Sequence, residues 1–379
     1  ISALTLCELV TRYPGAGGIV DYVDRAFGSP TLSLTVGVTI LASGLTSAAT
    51  AARAFGGEYL EEFVTVDVRL AAVVFVGALT ALNWWGIVES LRANVAMTIL
   101  EVGGLLLVIV AAVTILGSGD GDLTRPFSSA GGGDELIPFA LIGGAAVAFF
   151  SFLGFEDVAN MSEEVRDPRI SYPRALFGGL AITACLYVAV VFLALAATAP
   201  ERLIDSSAPL LVVVDDSPLT SSAQLFAGIA LVAVANTALA NLVMSSRLVY
   251  GMSCQDLIPS VFGRVDPRRS TPWVAVVSVA VLAVILAMTG DLGGLARTTV
   301  LLLLGVLALM NISALRLRGD AVSHPHFTAP VWAPWLGALT CSALIVDQLR
   351  GGETRDLARA GLIVILGLAV SLIARRRGP

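Results

Sequence analysis

The sequence predicts an all-α polytopic membrane protein, and three observations carry that prediction. Apolar runs of about 20 residues, the length that an α-helix needs to cross a bilayer, recur along the whole chain. Only 14% of the 379 residues are charged, whereas soluble domains average about 25%. Runs such as 93–116 are apolar on every side, whereas the strands of a membrane barrel alternate in polarity. A soluble protein and a β-barrel are therefore excluded.

The hydropathy pattern predicts about eleven helices. The first is too short to span, and it opens inside an apolar run, so we interpret it as a partial helix. In chain order the predicted helices are 1–10, 31–53, 69–88, 93–116, 136–156, 174–199, 222–252, 272–289, 297–316, 331–348 and 357–374.

One further predicted helix does not span. Residues 17–27 place Ile19, Tyr22 and Val23 on one face, with Asp21 and Arg25 opposite. A helix with one apolar and one charged face lies along a membrane surface. We therefore predict an interfacial helix on the inner side.

Arginine is unevenly distributed between the predicted loops. All 23 basic residues are arginine, and about 15 of them fall on the side that contains Arg12. Acidic residues collect in the opposite loops, such as 54–68 and 117–135. Because cytoplasmic loops hold an excess of basic residues, we predict that the arginine-rich side is cytoplasmic. The C terminus, which ends in Arg375–Arg377, then lies in the cytoplasm and the protein in the cell (inner) membrane.

Charge and cysteine content exclude several classes of chemistry. The net charge of −6 argues against a nucleic-acid partner. The four cysteines stand singly, with no spacing that is typical of a disulfide framework or a zinc site. The chain has no lysine for Schiff-base chemistry. We therefore predict no catalytic residue, metal or cofactor, and a lipid bilayer as the surroundings.

Three stretches on the cytoplasmic side carry a family pattern. They are ELVTRYPGAGGIVDYVDRAFG (8–28), SFLGFEDVANMSEEVRDPRISYPRA (151–175) and SSRLVYGMSCQDLIPSVFGRVDPRRSTPW (245–273). In this order they resemble the end of the second helix, the sixth helix with its loop, and the eighth helix with its loop in the amino acid, polyamine and organocation permease superfamily. The resemblance covers essentially the whole chain.

The resemblance implies a fold and a function. The implied fold is LeuT-like, with two inverted five-helix repeats and two C-terminal helices, in one permease domain over 1–379. The implied function is secondary active transport of amino acids or related amines by alternating access. Family members bind substrate between discontinuous first and sixth helices, and the first helix is not in this sequence. We therefore expect an N-terminally truncated chain that holds half of the binding site.

The run FFSFLGFED (149–157) is the predicted break in the sixth helix. A broken helix frees backbone polar groups, which a membrane tolerates only where they line a cavity or bind a ligand. Gly154 is the predicted unwinding point, and Ser151 lies beside it. Phe150, Phe152 and Phe155 offer surfaces for a gate or a substrate pocket, and by resemblance Phe150 matches a gating aromatic. Ordinary packing remains the alternative for all three phenylalanines.

Two acids are candidates for coupling or gating. Glu156 matches a family position that contributes to gating, although it could be merely interfacial. Glu101 lies in the centre of the 93–116 span, where a charge is costly unless it is paired or protonated. Some sodium-independent relatives have a lysine there, whereas this sequence has an acid. Because burial disfavours the charged form of a carboxylate, we predict that Glu101 binds and releases a proton. A neutral glutamate that packs against another helix is the alternative.

The eighth-helix region adds a polar stripe. Asn241 is the candidate substrate contact, with Asn236, Ser245 and Ser246 nearby in sequence. Interhelical hydrogen bonding without a ligand is an equal alternative.

Three function classes remain open on the sequence. The leading interpretation is a transporter of a small-molecule substrate, an amino acid or amine, with protons as a second candidate partner. It works without ATP, since no phosphate-binding loop is present. A non-transporting truncated remnant and an intramembrane enzyme are the alternatives. The enzyme would need a metal motif or a nucleophile and base pair, and the spans contain neither.

The arginine asymmetry generates the first prediction. Single cysteines introduced at 264–269 and at 54–68, with the native cysteines replaced, should be labelled differently in intact cells. An impermeant thiol reagent should label only the 54–68 position, because that loop faces outward. Labelling of the 264–269 position in unbroken cells would overturn the predicted topology.

Overall fold

The computed structural model describes residues 1–14, 18–127, 144–145, 148–149, 151–152, 154–156, 159, 167–206, 208–219, 223–255, 257–289, 292–351, 358 and 360–361. These residues form helices and loops without a β-strand. Most of the predicted helices 136–156 and 357–374, and the C-terminal Arg375–Arg377, lie outside the described residues.

We number the helices of ten or more residues in chain order. They are α1 (Ser2–Arg12), α2 (Gly18–Phe27), α3 (Pro30–Phe55), α4 (Val68–Trp85), α5 (Ile87–Ser118), α6 (Pro168–Ala197), α7 (Ala223–Cys254), α8 (Trp273–Thr289), α9 (Leu292–Leu317) and α10 (Trp332–Gly351). Shorter helical turns are Glu58–Glu61, Arg125–Phe127, Pro200–Ile204, Pro209–Asp216 and Ser260–Gly263.

The all-α membrane architecture is confirmed. Six helices within the described ranges are long and apolar enough to cross a bilayer. They are Pro30–Glu61, Val68–Trp85, Arg92–Ser118, Pro168–Ala197, Gln224–Cys254 and Arg297–Leu317. The outer faces of α5 and α6 expose large apolar side chains, including Ile99 and Val188. Such faces suit contact with lipid, where no water is available to polar groups.

Local sequence signals explain where helices begin and end. Ser29 caps α3 by accepting the Leu32 N–H, and Pro30 follows at the first helical position, which suits its fixed φ. Asp67 caps α4 through the N–H groups of Arg69 and Leu70. The break between α4 and α5 falls at Gly86, several residues earlier than hydropathy predicts. Likewise α6 begins at Pro168 rather than 174, because proline fits the first turn.

α3 is the hub of the bundle. It packs against α2, α4, α7, α8 and α9, and most of its side chains are buried. A second, smaller core joins the ends of α5 and α6 to the short helix Pro209–Asp216. The α2 helix packs its apolar face, with Ile19, Tyr22 and Val23, against α3 and α9. Its place at the inner membrane surface stays a prediction.

A buried ion cluster, not anticipated from the sequence, joins α1 to the end of α9. Glu8 is 1% exposed and accepts two hydrogen bonds from Arg318, at 3.2 Å from Nε and 2.7 Å from Nη2. The Ala329 N–H donates to the same carboxylate at 3.0 Å, and Arg12 lies 3.8 Å away. This Glu8 cluster therefore ties α1, α9 and the loop before α10 together.

Further contacts fasten the same loop to the end of α1. Arg12 donates to the backbone oxygens of Arg318 and Asp320. The Tyr13 hydroxyl donates to the Asp320 carboxylate at 2.9 Å. Burial, followed by this hydrogen bond, raises the pKa of Tyr13 above its usual value. Tyr13 therefore stays a neutral donor at physiological pH.

The Glu8 cluster generates a stability prediction. Glu8→Gln should lower the free energy of unfolding by about 3 kcal/mol, because breaking a buried ion pair leaves the other charge uncompensated. The matched control is Asp21→Asn, which breaks the exposed pair with Arg25 and should cost about 0.5 kcal/mol or less. Unfolding in mixed detergent micelles measures both. Equal costs for the two variants would show that the Glu8 cluster is not a stabilising element.

Candidate functional site

The chain leaves helical geometry around Gly154. The described residues 151–152 and 154–156 form turns, and Gly154 has a φ of +108°. Only glycine adopts this backbone region without strain. The Gly154 N–H is directed at the Glu156 side chain, with both carboxylate oxygens 3.1 Å away. The freed backbone group therefore has an internal acceptor, as a membrane interior requires.

A polar cavity of about 290 Å³ opens beside this turn. Five parts of the chain line it: the turn, α3, α6, α7 and α9. The lining residues are Ile40, Ser43, Gly44, Ser47, Ser151, Gly154, Glu156, Tyr187, Thr237, Asn241, Thr299 and Leu303. We call this space the central cavity. Its described lining contains one carboxylate and no arginine.

Small residues bring α3 and α7 close together at the cavity wall. A Cβ added at Gly44 would lie 2.5 Å from the Ser245 hydroxyl, which is closer than real Cβ contacts. Asn241, one turn away on α7, donates to the backbone oxygen of Thr237 at 2.9 Å. The hydroxyls of Thr46 and Thr299 meet at 2.6 Å and join α3 to α9. Close packing and hydrogen bonds therefore connect α3 with α7 and α9 beside the cavity.

Glu156 is a buried acid in the turn around Gly154. It is 5% exposed, yet it lines the central cavity. A carboxylate in such a place is costly unless other groups satisfy it. The Gly154 N–H supplies part of that satisfaction. Glu156 is therefore a buried acid that borders a cavity and has at least one hydrogen-bond donor from the chain.

Glu101 lies outside the central cavity, in a polar network between α5 and α7. Asn236 donates from Nδ2 to the Glu101 carboxylate at 3.2 Å and lies 3.1 Å from the Thr98 hydroxyl. Asn94 donates to the Asn236 side-chain oxygen at 2.6 Å. Glu101 also interacts electrostatically with Tyr187, which lines the cavity.

The structure brings some of the predicted site residues together and separates others. Ser151, Gly154, Glu156 and Asn241 line the central cavity. Phe152 and Phe155 instead line an adjoining cavity of about 360 Å³. Phe150 lies outside the described residues.

Several lining residues were missed by the sequence analysis. Ser43, Ser47, Thr237 and Thr299 are small polar residues within apolar helices, and Tyr187 is one of the two tyrosines of α6. A small polar residue that recurs inside a span is the signal that would have found the two serines and the two threonines. Within the described ranges, no group of three or more His, Cys, Asp and Glu residues is placed to hold a metal ion.

Comparison with known proteins adds an independent line of observation. A family model described as amino acid permease matches residues 1–348. The low-affinity putrescine importer PlaP of Escherichia coli is 29% identical, over 96% of this chain and 82% of its own. The methylthioribose transporter of Bacillus subtilis is 28% identical, over 71% and 55%. The vacuolar cationic amino acid transporter 4 of Arabidopsis thaliana is 27% identical, over 78% and 52%.

The contact at the cavity wall generates the next prediction. Gly44→Ala should lower the free energy of unfolding by about 1 kcal/mol, because overpacking pushes α3 from α7. Ser245→Ala should recover most of that loss in the double variant, since it removes the clashing hydroxyl. Gly103→Ala is the control, because nothing lies within 4 Å of a Cβ there. Strictly additive effects of the two substitutions would contradict the close approach.

Proposed function

Because the chain belongs to the amino acid permease family, we propose that it is a secondary transporter of amino acids or related amines. It would work by alternating access, without an enzymatic step and without a bound cofactor. The cell membrane is the proposed location, with the C terminus in the cytoplasm. Residues 1–379 would form one LeuT-like permease domain, in which two inverted repeats enclose the substrate.

The observation that supports this proposal most strongly is the central cavity at the turn around Gly154. An apolar bundle gains nothing from a polar cavity unless the cavity holds something polar, because each unsatisfied polar group in a membrane costs free energy. Transporters that bind substrate near the midplane use non-helical backbone of this kind. The cavity also meets four different helices. Relative movement of those helices would open or close the central cavity to either side of the membrane.

The charge of the cavity favours a substrate with an amine. Its described lining has one acid, Glu156, and no arginine, so a cationic group is the complementary partner. The hydroxyls of Ser43, Ser47 and Thr237 and the amide of Asn241 then supply hydrogen bonds. The names of two relatives point the same way, since putrescine is a diamine and the other protein is named for cationic amino acids.

We assign roles to the sequence-predicted residues on this basis. Ser151, Gly154 and Asn241 would contact substrate in the central cavity. Phe152 and Phe155 would shape its apolar side, and Phe150 keeps the substrate role that the resemblance implies. Glu156 would pair its carboxylate with the amine of the substrate and act in gating. Glu101 would couple transport to protons through the Asn236 network.

Uptake of radiolabelled compounds into proteoliposomes tests the proposed function. A panel of amino acids and polyamines should include at least one amine that accumulates above the level in protein-free liposomes. Glu156→Gln should weaken its binding at least about tenfold, which corresponds to about 1.4 kcal/mol, because the amide keeps a hydrogen-bond acceptor and loses the charge.

The control for this experiment is Glu201→Gln, since Glu201 is an exposed acid in the short helix Pro200–Ile204. That variant should transport like the wild type. A panel without any transported compound would overturn the proposed function. Equal effects of the two variants would remove Glu156 from the site.

Glu101 carries the prediction about coupling. Glu101→Gln should flatten the pH dependence of uptake, because the amide cannot bind and release a proton. The control is Glu89→Gln, which alters an exposed acid of the same helix and should leave the profile unchanged. Initial uptake rates at several pH values measure both. An unaltered profile in Glu101→Gln would assign Glu101 to packing between α5 and α7.

A further inference from the structure

Tyr187 of α6 is a wall shared by three cavities. It lines the central cavity of about 290 Å³. It also lines the adjoining cavity of about 360 Å³ and a third, mostly apolar cavity of about 580 Å³. Ser151 is the other residue that borders all three. Ser151 and Tyr187 therefore lie at the boundary between the polar central cavity and the more apolar cavities beside it.

Two contacts hold the Tyr187 ring in that position. Its hydroxyl donates to the backbone oxygen of Ser151 at 3.1 Å. Its ring packs edge-on against Phe152, with the ring centroids 5.4 Å apart. Both partners, Ser151 and Phe152, belong to the turn around Gly154. The Tyr187 hydroxyl thus connects the turn to α6, and the Tyr187 ring separates the central cavity from the adjoining cavity.

The two sides of the ring differ in chemistry. The central cavity offers Glu156 and a set of hydroxyls. The adjoining cavity is lined by side chains such as Phe155, Leu176 and Leu180. A substrate whose amine reaches Glu156 would place any long hydrocarbon chain against the Tyr187 ring. The volume available to that chain depends on whether the ring stays in place.

We propose that Tyr187 is the specificity-determining residue that limits substrate length. This inference rests on the proposed function and deepens it. With the ring present, the substrate is a small amine that fits about 290 Å³, roughly ten times the 30 Å³ that one water molecule occupies in the liquid. Without the ring, the central cavity joins the adjoining one and accepts longer apolar chains.

Competition by primary n-alkylamines of increasing length, against the labelled compound that the wild type transports, tests the inference. The wild type should bind these amines more tightly with length up to a limit, and then more weakly. Tyr187→Ala should shift that limit to longer amines, because the chain can then enter the adjoining cavity of about 360 Å³. Each newly buried methylene should strengthen binding about fourfold.

Three further variants make the test specific. Tyr187→Phe keeps the ring and should keep the wild-type limit, whereas Tyr187→Leu should give an intermediate limit and covers the case in which Tyr187→Ala does not fold. Thr183→Ala is the matched control, because Thr183 lies one turn earlier and lines the adjoining cavity. It should also keep the limit.

The outcomes separate this inference from the proposed function. An unchanged length limit in both Tyr187→Ala and Tyr187→Leu would overturn it while uptake by the wild type stands. A limit that moves equally in Thr183→Ala would also overturn it. If no alkylamine competes in any variant, the inference fails and the uptake panel still decides the proposed function. If the wild type transports nothing, both fail together.

Discussion

The bilayer interior supplies no hydrogen bonds, so every charged or polar group inside the bundle needs a partner from the chain. Three buried or half-buried carboxylates meet this constraint in different ways. Glu8 has a cation, because Arg318 contacts it twice. Glu101 has an amide donor from Asn236. Glu156 has the backbone N–H of Gly154, which a regular helix would not offer. The three carboxylates therefore differ in the number and the charge of the donors that hold them in place.

The three acids therefore suit different tasks. The Glu8 cluster is closed, since the carboxylate has two arginine contacts and a backbone donor, and it joins segments that are far apart in the chain. Glu156 opens onto a cavity, where a ligand can add a partner. Glu101 lies between these extremes, with a neutral donor that suits both protonation states. Position in the fold, rather than residue type, separates a structural acid from a candidate functional one.

The sequence predicts the helices well and the site only in part. Helix α3 was expected at 31–53 and spans Pro30–Phe55, because apolar length and capping residues are local signals. Gly154 was recognisable because a glycine among aromatics, followed by acids, is unusual in a span. The Glu8 cluster was not recognisable, since Arg318 lies 310 residues away. Tyr187 was missed for the same reason, because its partners become neighbours only in the folded bundle.

The cavity beside Gly154 is the proposed substrate site. The most direct measurement is the rate of alkylation of a cysteine placed at Ser47, in a background without the exposed Cys185 and Cys254. A transported amine at saturating concentration should slow the reaction several-fold, because the ligand and the reagent compete for one space. A cysteine at Thr289, which lies at the exposed end of α8, should react at the same rate with and without the amine. If the amine leaves the rate at position 47 unchanged, the substrate does not occupy this cavity.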